Sequence, residues 1–424
     1  MHYVVLGNGV AGIEAGLALR ARDARARISV VSAEHDHLFS RPALMYVFAG
    51  QTRLRDTEPY DRAFYDRMRF ERRSGRVEHL DAAGHALVFE DGARLGYDKL
   101  LLAVGSKARE APWPGASGSG LHYFVTLRDL ECLDRAARRG ARALVVGGGL
   151  IGVEVAEILK ARGLQVTFVI RESWYFPLAL DEQESGLVAE HMRAHGVDVR
   201  LRASVEEILR GADGSVRGMR LETGDEIPCE IVVSAIGVVP NTKFLEGSGL
   251  ALSTGGAIEV DAALKTSAAD VWAAGDCANV TWADGSRRPE QLWYTARDQG
   301  RVAARGMLGD SAAYDRGAWY NSAKFFDLEW TTAGTVPVSL DWDDTPMAPA
   351  PGVRSWFQRV PGRLESQRIV VEGERVVGFN MLGSRWNHEH FLDWIRERRP
   401  LDWVLAHLGE AQFDEELSQS FRVY

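Results

Sequence analysis

The sequence of 424 residues contains only three cysteines, and they lie far apart, at Cys132, Cys229 and Cys277. No C-x-x-C pair exists, so the chain has no metal knuckle, no disulfide scaffold and no local redox dithiol. The sequence also lacks a positive net charge: the formal net charge of -9 offers no electrostatic footprint for nucleic acid. No apolar run is long enough to span a bilayer, and the chain opens on a strand-like segment instead of a signal peptide. These absences favour a cytoplasmic protein without a membrane span.

Glycine, by contrast, is abundant, with 43 residues, and 46% of the chain is hydrophobic. This balance is typical of a globular protein, and the length corresponds to two or three domains. The most informative feature is an internal repeat: residues 3–16 and 143–158 each read as an apolar strand, a glycine turn and the start of a helix. A second apolar strand follows each copy, at residues 27–32 and 165–170, which predicts two βαβ units.

Each repeat carries a Gly-x-Gly-x-x-Gly turn between its strand and its helix. The first glycine permits a tight turn, the second lets the backbone approach a pyrophosphate, and the third lets the helix pack close to the strand. The helix N-terminus then faces the phosphates with free N–H groups and the positive end of its dipole. Two such turns predict two dinucleotide sites. The turn residues are Gly7, Gly9, Val10, Ala11 and Gly12 in the first copy and Gly147, Gly149, Leu150, Ile151 and Gly152 in the second.

Charged residues after the second strand of each copy bear on ribose recognition. Glu34 stands 22 residues after Gly12, where an acid suits a ribose diol. In the second copy, Arg171 suits the 2′-phosphate of NADPH, whereas the adjacent Glu172 suits the ribose hydroxyls of NADH. The choice between NADH and NADPH therefore stays open.

Two further apolar segments, 99–105 and 231–237, end in glycine and have the pattern of strands that return to close a nucleotide domain. Ligands of such domains bind beyond the carboxyl ends of the strands, so the last residues are candidates for coenzyme contact. These residues are Ala103 and Gly105 in the first segment and Ile236 and Gly237 in the second.

From about residue 312 the sequence changes character. Short alternating strands, such as 354–360 and 369–380, precede a tryptophan-rich helical tail from Arg385, which predicts an α+β domain. In that tail His388 and His390 are two residues apart and would not share a helix face, so no metal site is predicted.

Together these motifs resemble the FAD/NAD(P)-dependent pyridine nucleotide–disulfide oxidoreductase superfamily over roughly residues 1–330, especially its ferredoxin-, rubredoxin- and nitrite-reductase-like NAD(P)H reductases. The resemblance implies an α/β fold class with two Rossmann-like, glutathione-reductase-type nucleotide-binding domains and a C-terminal α+β domain. The implied boundaries are 1–112 and 238–311 for the FAD domain, 113–237 for the NAD(P) domain and 312–424 for an interface or dimerisation-like domain.

The resemblance also implies contacts with FAD. Asp276, at the end of a strand similar to the superfamily's second FAD motif, would hold the ribityl chain or a nearby phosphate. Arg41 and Pro42 would lie beside the flavin, although the lysine that related reductases often place just after them is replaced here by Met45. The backbone of residues 290–293 would face the flavin's pyrimidine edge. The implied FAD set is Gly7, Gly9, Val10, Ala11, Gly12, Glu34, Arg41, Pro42, Val77, Ala103, Gly105, Asp276, Glu290, Gln291, Leu292 and Trp293.

For the nicotinamide coenzyme the resemblance adds Glu154, a glutamate that in related proteins meets the nicotinamide amide. Near a helix N-terminus it would also simply complement the dipole. Lys324, in a run similar to the start of the reductases' C-terminal domain, is the second candidate catalytic residue, against the alternative of an ordinary solvated lysine. The implied NAD(P) set is Gly147, Gly149, Leu150, Ile151, Gly152, Glu154, Arg171, Glu172, Ile236 and Gly237.

The lack of cysteines after the first strand pair restricts the reactions that the resemblance implies. Disulfide reductases of this superfamily carry two cysteines after the first strand pair, and this chain has none there. The implied function is an FAD-dependent NAD(P)H dehydrogenase that passes electrons to an acceptor. A ferredoxin- or rubredoxin-like protein is suggested, and a small acceptor such as a quinone, a small disulfide or oxygen stays open. The alternative is an NAD(P)H-responsive sensor or scaffold with little turnover. Whether the protein is a monomer or a homodimer, and whether the tail with Trp386, Trp394 and Trp403 docks a partner, stays open.

Overall fold

A computed structural model describes residues 1–283, 285–341 and 343–413 of the chain. It divides into two compact units. The first unit comprises Met1–Arg109, Val125–Arg128 and Val238–Gly317; the second comprises Glu110–Phe124, Asp129–Gly237 and the residues from Ala318 onward. The residues predicted to bind the nicotinamide coenzyme thus share a unit with the C-terminal segment, while the three-domain division stays a prediction, and its last residues, 414–424, lie outside the described ones.

The regular elements of the described residues are numbered in chain order. The strands are β1 His2–Leu6, β2 Arg27–Ser32, β3 Phe70–Ser74, β4 Val77–Asp81, β5 Ala86–Phe89, β6 Arg94–Gly96, β7 Lys99–Leu102, β8 Ser106–Ala108, β9 Leu121–His122, β10 Arg142–Val146, β11 Gln165–Val169, β12 Asp198–Arg200, β13 Val205–Arg210, β14 Val216–Leu221, β15 Glu226–Pro228, β16 Ile231–Ser234, β17 Val238–Pro240, β18 Ile258–Glu259, β19 Val271–Ala273, β20 Ala278–Thr281, β21 Arg287–Arg288, β22 Tyr320–Phe325, β23 Leu328–Gly334, β24 Val353–Arg359, β25 Ser366–Glu372 and β26 Arg375–Leu382. The α-helices are α1 Val10–Arg22, α2 Leu44–Phe48, α3 Phe64–Arg67, α4 Leu127–Ala136, α5 Leu150–Ala161, α6 Glu182–Ala194, α7 Trp293–Leu308, α8 His388–Arg396 and α9 Leu401–His407. Short 3-10 helices occur at Arg41–Ala43, Leu54–Thr57, Lys243–Leu245 and Leu408–Ala411. Among the described helices, none combines the length and apolarity needed to cross a bilayer.

A parallel sheet with the strand order β19-β7-β1-β2-β3 forms the centre of the first unit. In β1 the residues from Tyr3 to Leu6 are all buried, as expected for a parallel strand that is covered on both faces. Helices α1 and α7 pack so closely that a Cβ at Gly300 would lie only 2.2 Å from the carbonyl oxygen of Ala11. The first βαβ prediction is confirmed by β1, α1 and β2, with Tyr3 opposite Ile28.

The second unit repeats this arrangement in a parallel sheet with the order β12-β11-β10-β16-β9. Here β10, α5 and β11 form the second predicted βαβ unit, with Leu144 opposite Thr167. The predicted returning strands are present too: β7 pairs with β1 in the first unit, and β16 pairs with β10 in the second. The internal repeat that the glycine motifs indicate is therefore a structural repeat.

The C-terminal segment folds as an antiparallel sheet with the order β22-β23-β26-β25-β24. Its helices pack on the sheet through aromatic side chains, with the rings of Phe379 and Phe391 stacked 4.2 Å apart. The prediction of one strand over 369–380 is wrong, because the chain reverses at Gly373, whose φ of 62° suits a tight turn, and forms β25 and β26. The helical tail begins at His388 instead of Arg385, because the side chain of Asn387 caps α8.

A buried ion pair joins helix α6 to this antiparallel sheet. The guanidinium of Arg368 donates to both carboxylate oxygens of Glu184, at 3.1 and 2.7 Å, and the two side chains are 4% and 0% exposed. Arg368 also donates to the carbonyl oxygen of Ala179, which accepts a second hydrogen bond from Asn380. Because every partner is buried, losing one leaves an uncompensated charge.

We expect Arg368→Met to lower the free energy of unfolding by about 3–5 kcal/mol, because Glu184 would remain buried as an unpaired acid. Urea unfolding followed by circular dichroism measures this loss. In the double variant with Glu184→Gln, which removes the charge as well, at least half of the loss should be regained. A single variant as stable as the parent chain would show that the pair does not hold the sheet to the helix.

Candidate dinucleotide-binding sites

The first glycine turn follows β1 and is shaped by two close backbone approaches. At Gly7, whose φ is 120°, a Cβ would lie 1.9 Å from the carbonyl oxygen of Ala103. At Gly12 a Cβ would lie 2.0 Å from the carbonyl oxygen of Gly7. At Gly9, however, a Cβ would meet nothing within 4 Å. The chain's own packing thus requires glycine at the first and third positions only, and the second faces open space.

The second turn, after β10, has the same geometry. A Cβ at Gly147, whose φ is also 120°, would lie 2.3 Å from the carbonyl oxygen of Ala235, and one at Gly152 would lie 2.1 Å from the carbonyl oxygen of Gly147. At Gly149 a Cβ would again meet nothing within 4 Å. Ile236 and Gly237 lie two and three residues past the end of β16, so the structure brings them to the same end of the sheet as the turn.

Both turns fit a bound pyrophosphate. Gly9 and Gly149 are the N-caps of α1 and α5, and neither helix has a side-chain cap or an acidic residue in its first turn. The first N–H groups, which in α1 include those of Val10 and Ala11 and in α5 those of Leu150 and Ile151, have no helical partner. They present donors and the positive end of a helix dipole to the open space at the second glycine, which is the environment an anionic phosphate needs.

Glu34 and Arg41, predicted to contact different parts of the cofactor, are bound to each other. The Arg41 guanidinium donates to both Glu34 oxygens, at 3.2 and 2.7 Å, and to the carbonyl oxygen of Val125. Glu34 also accepts the N–H of Leu127 at 2.9 Å. Burial alone would raise the pKa of Glu34, but these hydrogen bonds outweigh it and lower the pKa. The lowered pKa keeps Glu34 ionised, and its contact with ribose hydroxyls stays a prediction. Pro42 lies in the short helix beside Arg41.

Asp276 lies three residues past the end of β19, where the sequence predicts it. Its carboxylate accepts the hydroxyl of Ser106 at 2.8 Å. Burial raises its pKa, against the hydrogen bond from Ser106 and the charge of Arg41. Gly105, next to Ser106, has a φ of 66° and turns the chain away from β7. An acid held in this way can accept hydrogen bonds from a polyol, which fits the ribityl role that the resemblance implies.

The segment 290–293 is predicted to face the flavin with its backbone, and the side chain of Glu290 is bound elsewhere. Glu290 is paired with Arg316 in the interior, and both side chains are 2% exposed. Leu292 occupies the N-cap position of the 16-residue helix α7, which begins at Trp293. No side chain forms a capping hydrogen bond at this N-terminus. Val77 lies in β4 and packs in the hydrophobic core, and Gln291 is exposed. Cofactor contacts of these residues stay predictions.

The two candidate catalytic residues, Glu154 and Lys324, lie near each other because both are close to Glu157, a residue that sequence reasoning missed. The ammonium of Lys324 donates to Glu157 at 2.8 Å, and Glu157 lies one turn after Glu154 on α5. Burial raises the pKa of Glu154 to about 7; the charge of Glu157 adds to the rise and that of Lys324 opposes it. Glu154 therefore exchanges its proton near neutral pH. The i,i+3 spacing of the two glutamates was visible in the sequence, but their lysine partner was not.

This raised pKa makes stability depend on pH in a defined direction. The ordinary pKa of this carboxyl is 4.5, and in the folded chain it is about 7. Between these two pH values Glu154 keeps its proton in the folded chain but loses it in the unfolded one. Its contribution is full below pH 4.5 and is lost as the pH rises from 4.5 through 7. We expect Glu154→Gln to be about 3 kcal/mol more stable than the parent at pH 8 and nearly equal at pH 4. Urea unfolding at both values measures this, and equal differences at the two pH values would contradict the assignment.

Arg171 and Glu172, the residues predicted to select the coenzyme, follow β11. Arg171 donates to Glu172 at 2.8 Å, and their side chains are 58% and 23% exposed. A Cβ at Gly148, in the middle of the glycine turn, would lie 3.7 Å from Glu172 Oε2. The carboxylate thus lies against the turn, while the guanidinium is more open to solvent.

Comparisons with known proteins show which family and which fold this chain is similar to. Residues 1–300 match the family described as pyridine nucleotide-disulphide oxidoreductase. The chain is 31% identical over 394 residues to the 5,5'-dehydrodivanillate O-demethylase ferredoxin reductase subunit of Sphingobium sp. (strain NBRC 103272 / SYK-6), covering 88% of this chain and 94% of that one. It is 32% identical over 329 residues to rhodocoxin reductase of Rhodococcus erythropolis, covering 77% and 76%. Its fold is similar to that in the covalent putidaredoxin reductase–putidaredoxin complex, with a TM-score of 0.80 at 23% identity over 94% of each chain.

Proposed function

Because the chain belongs to the pyridine nucleotide-disulphide oxidoreductase family, we propose that it is an FAD-dependent NAD(P)H reductase that delivers electrons to a small ferredoxin- or rubredoxin-like protein. One observation carries the proposal: the chain contains two uncapped helix N-termini, each beside a glycine with open space where its Cβ would be. When both coenzymes are bound, they supply hydride transfer from nicotinamide to flavin. The chain's residues bind, orient and tune them.

In this proposal the first unit holds FAD and the second holds the nicotinamide coenzyme. Glu34 accepts the ribose hydroxyls of FAD, and Asp276 accepts those of its ribityl chain. In the second unit, the glycine turn binds the pyrophosphate, and Glu172 receives the ribose diol, which favours NADH over NADPH. Glu154 holds or releases a proton near neutral pH close to the nicotinamide amide.

Bound FAD would supply the electrons for the acceptor, and the buried thiols of this chain would not act as a relay. All three cysteines are free. Burial raises the pKa of Cys277 to about 11 and that of Cys229 to about 12, so neither forms a thiolate at neutral pH. Relatives named as ferredoxin reductases favour a protein carrier as the acceptor, and we propose the cytoplasm as the location.

The test is a turnover assay with purified chain loaded with FAD. NADH and NADPH are each added with a [2Fe–2S] ferredoxin, a rubredoxin or no carrier, and reduction of cytochrome c is followed. We expect rapid turnover that depends on the coenzyme and on one of the carriers. Fast flavin reduction followed by no reoxidation with either carrier would contradict the reductase proposal.

A further inference from the structure

Apart from the dinucleotide turns, three metal-ligating side chains of the second unit converge. His191 and His195 lie four residues apart at the C-terminal end of α6, so they share one helix face, and their ring centroids are 4.4 Å apart. Asp327 lies in the turn between β22 and β23, where Phe326 has a φ of 61°. Asp327 Oδ1 is 2.6 Å from His191 Nε2 and 3.4 Å from His195 Nε2. The candidate ligand atoms all lie within 4.8 Å of one another.

The hydrogen bonds of His195 determine what its free nitrogen can do. Its Nδ1 is 2.9 Å from the carbonyl oxygen of His191, which can only accept, so Nδ1 carries the proton. In the neutral ring, Nε2 then directs a lone pair at Asp327 Oδ1, which is also an acceptor. Two acceptors 3.4 Å apart repel each other unless a proton or a metal ion lies between them.

We propose that His191, His195 and Asp327 bind a divalent transition metal ion, with Zn²⁺ as the reference case. Two imidazole nitrogens and one carboxylate oxygen are donors that zinc accepts, whereas Mg²⁺ and Ca²⁺ prefer oxygen ligands alone. The Nδ1–H of His195 bound to a backbone carbonyl is the outer contact that metal-ligating histidines usually make. The negative end of the α6 dipole adds a favourable field for a cation.

The two distances to Asp327 suit this ion after a small side-chain movement. Tetrahedral zinc about 2.0–2.1 Å from each ligand places ligand atoms roughly 3.3 Å apart. The distance between His195 and Asp327 already has this value, and the shorter one between His191 and Asp327 lengthens when the aspartate rotates. The Asp327 side chain is 78% exposed, so it is free to rotate and leaves the fourth position to water.

A second cluster in the chain, His35, His37 and Glu58, is a natural contrast. There Arg72 lies 3.1 Å from His37 Nε2, and Arg62 lies 3.9 Å from Glu58, so two cations already occupy the neighbourhood. Their charge opposes a metal ion. A substitution at His37 therefore serves as a matched control that removes a clustered histidine outside the proposed site.

The ion would join α6 to the β22–β23 hairpin, and the test is calorimetric titration of the chelator-treated, FAD-loaded chain with Zn²⁺. We expect one ion per chain, with micromolar or tighter affinity. His195→Ala and Asp327→Asn should each weaken binding about tenfold or more, and His37→Ala should not change it. Electron paramagnetic resonance with Cu²⁺ should show two coordinating imidazole nitrogens, and one in His195→Ala.

Two results would overturn the proposal. In the first, Zn²⁺ shows no saturable binding at one equivalent, and Asp327→Asn lowers the melting temperature equally with and without Zn²⁺. The cluster would then be an ordinary histidine–aspartate ion pair. The other is an equal loss of affinity in His37→Ala and His195→Ala. Because His195 and Asp327 are exposed, circular dichroism of both variants should match the parent chain, so a change in folding can be told apart from a lost ligand.

Discussion

Replacing Gly149 with alanine is expected to raise the KM for NADH about 30-fold, the equivalent of about 2 kcal/mol of lost binding. The added methyl group would meet nothing in the protein, since no atom lies within 4 Å of it. The φ of -98° at this residue is one that alanine adopts readily. The methyl group would instead enter the space where a pyrophosphate approaches the α5 N-terminus. Steady-state kinetics with FAD-loaded chain measures the change.

Two matched substitutions show whether this effect comes from the ligand. Gly152→Ala places its methyl group 2.1 Å from the carbonyl oxygen of Gly147, so it should lower the melting temperature as well as raise KM. Gly9→Ala should weaken retention of FAD while leaving the polypeptide folded. If Gly149→Ala left KM unchanged, or lowered the melting temperature as much as Gly152→Ala, the open space at the second glycine would not be a phosphate site.

The second large effect concerns the coenzyme. We expect Glu172→Ser to change the ratio of kcat/KM for NADPH over NADH by about 100-fold in favour of NADPH. The substitution removes an acceptor for the ribose diol of NADH and the negative charge that repels a 2′-phosphate. It also frees the guanidinium of Arg171, now bound to Glu172 at 2.8 Å, to meet that phosphate.

Arg171→Ala is the matched control for this prediction. In the parent background it should lower activity with NADPH and leave activity with NADH close to that of the parent. Combined with Glu172→Ser, it should abolish most of the gain with NADPH. Equal losses with both coenzymes in Arg171→Ala, or an unchanged ratio in Glu172→Ser, would remove these residues from coenzyme selection.

The features that sequence reasoning predicted well are those encoded locally. The two glycine turns, their helices and the second strands follow from residue spacing alone, because a tight turn and a close backbone approach admit only glycine at Gly7 and Gly12. The same logic places Asp276 at a strand end. Local signals failed where a single turn residue decided the outcome: Gly373 divides the segment 369–380, which was predicted as one strand, into a hairpin.

Contacts between residues that are far apart in the chain could not be predicted from the sequence. Lys324 meets Glu157 across 167 positions, and Arg368 meets Glu184 across 184. Nothing in either residue's neighbourhood indicates its partner, because the fold of the second unit brings them together. A nearer pair also escaped notice: Glu34 and Arg41 are 7 residues apart, yet the loop between them had no pattern that fixes their contact.

The most direct test of two dinucleotide sites is an anaerobic titration of the purified chain, with bound FAD counted first. One FAD per chain, fully reduced by one equivalent of NADH, is the predicted result, and Gly149→Ala should need far more NADH while keeping its FAD. A colourless polypeptide that takes up no flavin when FAD is supplied would contradict the account.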